Sequence, residues 1–152
     1  MGAAFFYHLT ETPLDDTLPM IVARARDQGW RVLLRGTEAA TVERLDRVLW
    51  EGAKDSFLPH GLAGGPHDAD QPVLLGVGIP AEGFDCVISV EGADLTPAEV
   101  GLAARACVIF DGADGDAITR ARAQWKALTD AGCAAQYWAQ DGGRWTKKAE
   151  TG

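Results

Sequence analysis

The sequence predicts a three-layer α/β/α single domain with a mainly parallel (mixed) central sheet. Short apolar runs alternate along the chain with longer amphipathic segments, an order typical of strands joined by helical crossovers. The apolar run at 30–34 is nearly continuous in hydrophobic character, as expected for a strand covered on both faces. The length of 152 residues, with 47% hydrophobic and 24% charged residues, fits one globular domain of ordinary composition.

The first half of the chain is predicted to run strand, helix, strand, helix. Thr17 is the expected N-cap of the first helix, with Pro19 in its first turn and Gly29 just after its end. Thr37 is the expected cap of the second helix, whose apolar face includes Leu45 and Leu49. The expected elements are strand 4–9, helix 17–28, strand 30–34 and helix 38–51.

The second half continues the alternation after a polar interruption. Residues 61–72 are rich in Gly, Pro, Asp and His and are predicted to form a loop. We divide the chain into a domain at 1–140 and a polar C-terminal extension at 141–152, which is expected to fray. The expected elements are an extended piece at 57–59, strands 72–77 and 86–90, helix 97–104, strand 106–110, helix 114–131 and strand 134–139.

Charge and cysteine content restrict the class of protein. A formal net charge of −8 argues against a protein that binds nucleic acid over its whole surface, so little direct nucleic-acid contact is expected. The spacing of Cys86, Cys107 and Cys133 fits neither a zinc site nor a disulfide framework, and Cys86 and Cys107 are expected to be buried. The chain shows no signal peptide and no apolar run that could span a membrane, which indicates a cytoplasmic protein without membrane contact.

No motif of an enzyme is complete in this sequence. Gly76, Gly78 and Gly83 do not form a dinucleotide fingerprint, and a phosphate-binding loop is absent. Asp111 and Asp114 lie in an acidic run that lacks calcium ligands at the required positions, so a turn with an N-cap is the better interpretation. We therefore expect no catalytic residue.

Residues of metal-ligating type come together in one stretch of the sequence. Most of them fall in the loop predicted at 61–72, where a metal site would require the loop to be held in place. We therefore expect neither a metal nor another cofactor. The residues concerned are His60, His67, Asp68 and Asp70.

Two surfaces are candidates for binding partners. The first surface combines aromatic and apolar residues at the end of the second helix and just beyond it. Two interpretations stay open, because such rings pack into a domain's own core as readily as they form a docking patch. Its residues are Trp50, Phe57, Leu58, Pro59 and His60.

The second surface lies on the helix at 114–131. Ile118, Arg122 and Trp125 share one helical face, and Lys126 borders it. An apolar floor beside two cations suits an acidic peptide that ends in a hydrophobic residue with a free carboxylate, which Arg122 can bind with two parallel hydrogen bonds. The alternative is a solvated helix face with Trp125 turned into the core.

Three stretches resemble one protein family in the same order. The run LDRVLWEGAKDSFLPHGLAG at 45–64, the strand FFYHL at 5–9 and the helix ARAQWKALTDAG at 121–132 are similar to segments of the chi subunit of bacterial DNA polymerase III. Chi is an accessory protein of the clamp loader. The resemblance extends from about residue 5 to about residue 140.

The resemblance implies partners for both surfaces. In the chi family the helix corresponding to 114–131 binds the acidic C-terminal tail of single-stranded DNA-binding protein, which ends in Pro-Phe. The surface around Trp50 and Phe57 corresponds to the one that holds the psi subunit, or a helicase-like repair partner. Ile118 stands where the family can carry a basic residue and Asp111 where it can carry an apolar one, and both departures weaken the attraction for an anionic tail.

The resemblance therefore implies a non-catalytic accessory subunit of the clamp-loader complex in DNA replication, located at the nucleoid and the replication fork. One rival is an unrecognised nucleotide-binding α/β enzyme, which a phosphate at the helix start after Gly36 and Thr37 would favour. Another rival is a direct DNA-binding module that uses Arg144, Lys147 and Lys148.

Overall fold

The computed structural model describes residues 2–51, 61–62, 71–142 and 144–151, with Trp50 described by its backbone alone. Eight strands and four helices are described in this part of the chain. In chain order they are β1 (Ala3–Leu9), α1 (Leu14–Asp27), β2 (Val32–Gly36), α2 (Ala39–Glu51), β3 (Gly61–Leu62), β4 (Val73–Val77), β5 (Cys86–Ser89), α3 (Pro97–Leu102), β6 (Arg105–Asp111), α4 (Gly115–Asp130), β7 (Ala134–Asp141) and β8 (Arg144–Thr151).

The strands form one sheet in the order β3-β4-β2-β5-β6-β1-β7-β8. Every neighbouring pair from β3 to β7 is parallel, and β8 alone runs antiparallel, against β7. This confirms the predicted α/β class with a mainly parallel, mixed sheet. From β1 the chain crosses to β2, on one side of β1 in the sheet. From the neighbouring β6 it crosses to β7, on the opposite side. A crevice therefore opens between the carboxyl ends of β1 and β6.

Two apolar cores lie on opposite faces of the sheet. Helices α3 and α4 pack on β1, β6 and β7, over a core that includes Phe6 and Leu128. Helices α1 and α2 pack on β2, β4 and β6, over a core that includes Leu18, Leu45 and Ile88. The strands carry apolar residues toward both cores, which explains the nearly continuous hydrophobic runs in the sequence.

The first helix begins earlier than predicted. Pro13, not Thr17, occupies the N-cap position, and Asp15 and Asp16 stand in the first turn, where negative charge favours a helix start. Thr17 is buried, and its hydroxyl donates to the carbonyl oxygen of Pro13. The prediction of Thr17 as the cap is wrong because the helix already begins one turn upstream, where Asp15 and Asp16 occupy the first turn.

The cap of α2 also differs from the prediction. The backbone N–H groups of Thr37 and Glu38 both donate to Oε1 of Glu91, at 2.6 and 2.8 Å. Glu91 follows β5 in the chain and has a φ of 48°, in the left-handed region. A carboxylate from a distant part of the sequence thus supplies the anionic group that the N-terminus of α2 attracts.

Two other expectations about the chain are corrected by the sheet. Gly61 and Leu62 pair with β4 as the edge strand β3, so the loop predicted at 61–72 is wrong at its first two residues. The extension was expected to fray, but Arg144–Thr151 forms β8 against β7. The extended piece predicted at 57–59 lies outside the described residues, and the division between 1–140 and 141–152 stays a prediction.

Burial of the thiols agrees with the sequence. Cys86 and Cys107 are buried, as predicted, whereas Cys133 is half-buried. Among the residues that the structure describes, no helix is long and apolar enough to cross a membrane.

Candidate functional site

The acidic run before α4 sets where that helix begins. Oδ1 of Asp114 accepts hydrogen bonds from the backbone N–H groups of Asp116 and Ala117, at 3.0 and 3.3 Å. Oδ1 of Asp111 accepts a hydrogen bond from the N–H of Ala113 at 2.8 Å. The run is therefore a turn followed by an N-cap, as predicted from the sequence.

The apolar side of α4 rests on aromatic rings from the sheet. The ring of Trp125 meets Phe6 edge-on, with centroids 5.3 Å apart, and meets Tyr137 at 5.9 Å. Trp125 and Ile118 are both half-buried and pack against the core on this face. The structure thus combines the two alternatives for Trp125, because the ring packs on the core while part of it stays at the surface.

Arg122 lies at the edge of this aromatic cluster. Its side chain is exposed and pairs with no carboxylate among the described residues. Its positive charge acts to lower the pKa of both His8 and Tyr137. The Tyr137 hydroxyl and Nδ1 of His8 are hydrogen-bonded at 2.8 Å. We call this set the Arg122 surface: Arg122, Trp125, Ile118, His8 and Tyr137.

The electrostatics of the Arg122 surface favour an anion. Burial lowers the pKa of His8, and the Arg122 charge lowers it further, while Asp111 acts in the opposite direction. Burial raises the pKa of Tyr137, against a smaller opposite effect from Arg122. Both residues are therefore neutral near pH 7, and the cation beside them is free to bind a carboxylate.

Gly112 allows the His8 ring to lie where it does. A Cβ at this position would overlap the His8 ring and the carbonyl oxygen of Leu9. Sequence reasoning did not single out His8, Tyr137 or Gly112, because they come from separate strand ends. A signal for His8 was present in the aromatic run at 5–9, which ends beside the carboxyl edge of the sheet.

Lys126 has a partner that the sequence analysis missed. Its Nζ lies 2.8 Å from a carboxylate oxygen of Asp130, one turn along the helix, and both side chains are exposed. The hydrogen bond that the Lys126 ammonium donates to this carboxylate raises the pKa of Lys126. The spacing of four residues was the signal that could have predicted this pair. The carboxylate of Asp130 therefore already offsets part of the Lys126 charge.

The first predicted surface lies largely outside the described residues. This applies to Phe57, Leu58, Pro59 and His60, and to the side chain of Trp50. Of the nearby described residues, Leu62 and Val77 are exposed and line an apolar groove of about 330 Å³ beside α2. The structure does not bring this groove together with the Arg122 surface, since α2 and α4 pack on opposite faces of the sheet.

A cleft lies at the carboxyl ends of β1 and β6. It has a volume of about 750 Å³ and receives the loops after both strands, at the usual ligand position of an open α/β sheet. Acidic residues outnumber basic ones in its lining, and Arg44 is already paired with Asp15. The charged residues that line it are Glu11, Asp15, Glu91, Asp111, Asp114, Arg44 and Arg120.

Glu91 occupies the position where the rival enzyme would bind phosphate. Burial raises the pKa of its carboxyl, but hydrogen bonds from the backbone of Glu38 and Thr37 outweigh this effect and hold the pKa below its usual value. The group is therefore a carboxylate at neutral pH. A phosphate at the start of α2 would have to displace it and would be repelled by it.

The remaining predicted residues do not assemble into a second site. Among the described residues, no three His, Cys, Asp or Glu side chains come together to hold a metal. The candidate metal ligands predicted from the sequence, His60, His67, Asp68 and Asp70, lie outside the described residues. On β8, Lys147 pairs with Glu150 at 3.2 Å and Lys148 with Asp141 at 3.5 Å, while Arg144 is exposed.

Comparison with known proteins gives two findings. A family model described as "DNA polymerase III chi subunit, HolC" matches residues 1–136. A curated relative, DNA polymerase III subunit chi from Pseudomonas aeruginosa, is 38% identical over 60 residues. That stretch covers 40% of this chain and 41% of the relative, so the match spans about two fifths of each protein's length.

Proposed function

The chain belongs to the DNA polymerase III chi subunit family, and from this premise we propose that it is a non-catalytic accessory subunit of the clamp-loader complex in DNA replication. It acts in the cytoplasm, at the nucleoid and the replication fork. Its role is to link the polymerase assembly to single-stranded DNA that is covered by single-stranded DNA-binding protein. It has no active site of its own.

The observation that carries the proposal is the position of Arg122. An exposed guanidinium without a carboxylate partner among the described residues stands beside a half-buried aromatic floor. A peptide with acidic residues and a terminal Pro-Phe needs both features, a cation for its carboxylate and an apolar surface for its ring. The Arg122 surface offers them within one patch, with Trp125 and Ile118 as the apolar part.

The groove beside α2 supports a second partner. Leu62 is 40% exposed and Val77 is 46% exposed. Exposed apolar residues that form one contiguous patch mark interaction surfaces. This groove is the described part of the surface to which we assign the psi subunit, or a helicase-like partner. The other residues assigned to this partner, from the sequence alone, are Trp50, Phe57, Leu58, Pro59 and His60. The groove and the Arg122 surface lie on opposite faces of the sheet, so partners on these two surfaces can bind at once.

Calorimetry with a peptide that copies the tail of single-stranded DNA-binding protein tests the proposal. We expect Arg122→Ala to weaken binding by about 2 kcal/mol or more, because a charged, bidentate contact carries much of the energy of a small interface. Arg122→Lys should recover only part of the loss, since an ammonium keeps the charge but not the two parallel bonds. Lys126→Ala should have the smaller effect, because Asp130 already holds the Lys126 ammonium.

The matched control changes the peptide instead of the protein. Amidating its terminal carboxylate should weaken binding to the wild-type chain as much as Arg122→Ala does, and should add little to the variant. Thermal unfolding of Arg122→Ala should match the wild type, because the side chain is exposed. Equal binding of the tail by Arg122→Ala and by the wild type would show that the tail binds elsewhere.

A further inference from the structure

One end of the sheet extends beyond the helices that pack on its face. On the face opposite α4, helix α1 packs over β2 and β6, and α2 packs over β2, β3 and β4. The strands β7 and β8 end the sheet order beyond both helices, whereas Tyr7 on β1 lies beside Ile21 and Arg24 of α1. Side chains that point to this face from β7 and β8 are therefore close to solvent.

This end of the face carries aromatic residues. The strand register places Tyr7 beside Trp138, and Gln140 beside Trp145, and paired residues point to the same side of a sheet. The ring of Trp145 meets Tyr7 edge-on, with centroids 5.3 Å apart. All of these rings are half-buried, so each packs on a neighbour while part of it stays at the surface. We call this region the aromatic sheet face: Phe5, Tyr7, Trp138 and Trp145.

Cations lie among these rings. The guanidinium of Arg105 stacks over Phe5 at 4.1 Å from the ring centroid and lies 5.2 Å from that of Trp30. It pairs with no carboxylate among the described residues. Lys147 faces the same side next to Trp138, with 41% of its side chain exposed. Arg24 reaches the edge of the region from α1, near Tyr7.

The local charge opposes that of the whole molecule. Of the three cations, Lys147 pairs with Glu150 at 3.2 Å, and Arg105 and Arg24 pair with no carboxylate among the described residues. Two cations without an ion pair therefore lie on this face, although the chain carries a net charge of −8. A second copy of the chain would bring the same positive charge against itself, so the charge does not favour self-association through this face.

We propose that the aromatic sheet face binds single-stranded nucleic acid directly. Unpaired bases stack on flat rings in partly exposed positions, and their phosphates need cations spaced between the rings. A sheet surface with interleaved aromatic and basic residues supplies both. The region faces away from the Arg122 surface, so nucleic acid and a peptide on α4 can be bound at the same time, and this proposal does not depend on the peptide site.

Titration of a fluorescently labelled oligothymidylate of about 12 nucleotides with the full chain tests the proposal. We expect saturable binding at low salt that weakens as salt is added, because phosphate contacts release counterions. Trp138→Ala and Lys147→Glu should each weaken binding by roughly tenfold. An abasic oligomer with the same number of phosphates should bind roughly tenfold more weakly than the oligothymidylate, since it cannot stack.

Lys126→Glu is the matched control, because it makes the same charge change at an exposed position on the other face of the molecule. It should leave oligothymidylate binding unchanged. Lys147 is exposed, so its variant should fold even if Trp138→Ala proves unstable. The proposal is overturned by any of four results: no binding at low salt, equal binding of the abasic oligomer, equal weakening by Lys126→Glu, or a dimer in sedimentation that Lys147→Glu dissociates.

Discussion

His8 connects the proposed peptide site to pH. Its pKa lies below the value of 6.5 expected in the unfolded chain, chiefly because of burial and then because of the Arg122 charge. Neutral His8 therefore favours the folded state above pH of about 6.5, and the free energy of unfolding decreases as pH falls through the folded pKa. The pKa of His8 should therefore change when an anion binds Arg122.

We expect tail binding to take up protons. A peptide carboxylate that pairs with Arg122 offsets the charge that lowers the pKa of His8, so the pKa rises on binding. Affinity should increase as pH falls below about 6.5 toward the pKa of His8 in the free protein. Calorimetry in buffers of different ionisation enthalpy measures the protons directly. His8→Gln should abolish the uptake, and proton release by the wild type would place the carboxylate away from His8.

Glu91 is the second residue with a testable role. Its carboxylate caps α2 while its backbone has a φ of 48°, which is unfavourable for any residue with a Cβ. Glu91→Ala should lower the free energy of unfolding by about 1–2 kcal/mol through loss of the cap. Glu91→Gly loses the same carboxylate but relieves the strain, so it should cost about 1 kcal/mol less.

Urea unfolding of both variants checks this comparison, and an alanine variant as stable as the wild type would contradict the role of the cap. The pH dependence gives a further test. Because the folded pKa of Glu91 is below its unfolded value of 4.5, the stabilisation is present above that value and is lost as pH falls through the folded pKa. The alanine variant should lack this part of the acid sensitivity.

At the level of elements, β8 decides whether the end of the chain is an extension or part of the domain. It adds a backbone ladder to β7, and its Trp145 packs on Tyr7. Gln136 on β7 donates a hydrogen bond from Nε2 to Glu150 on β8. These contacts bury Tyr7 and raise its pKa well above the ordinary value, chiefly through burial.

Ending the chain after Gln140 should therefore lower the free energy of unfolding by about 2 kcal/mol or more, because it exposes Tyr7 and an additional sheet edge. Trp145→Ala in the full chain is the matched variant, since it removes the ring and keeps the strand. Trp145→Ala should lower the free energy of unfolding by part of the amount lost on truncation. A truncated chain that unfolds at the same urea concentration as the wild type would support a dispensable extension at 141–152.

At the scale of the whole molecule, the reactivity of the three thiols reports how the protein opens. Cys86 and Cys107 point into the core under α1 and α2, and the hydrogen bond between the two thiols, together with burial, raises the pKa of the Cys107 thiol. Protonated thiols without solvent access do not react. Cys133 is half-buried on the opposite side of the sheet, next to the carbonyl oxygen of Pro97.

We expect three reactive thiols per chain under denaturing, non-reducing conditions. In the native state Cys133 should react first, and the other two should react together at the rate of global opening, because both lie in one core. Cys133→Ser should remove the fast phase alone, with little change in stability. A single reactive thiol in the denatured chain would reveal a disulfide and contradict the cytoplasmic location expected from the sequence, because disulfides persist in oxidising compartments.

Local patterns in the sequence were sufficient for most of the fold. Strand 106–110 and helix 114–131 were predicted within one or two residues of β6 and α4, and the cap before α4 was recognised from the acids that form it. Apolar runs, periodicity and cap residues act over a few neighbouring positions, so a sequence reveals them directly. The family segments, which contain Arg122 and Trp125, are also contiguous in the chain.

Contacts between distant segments were decided by the tertiary structure alone. The Glu91 cap joins residues 54 positions apart, and the bond between His8 and Tyr137 joins residues 129 apart. Both depend on which strands are neighbours, and hydrophobic patterns do not specify strand order. The polar strand β8 was missed for a related reason: its pairing with β7 holds it in place, and little in its own composition indicates a strand.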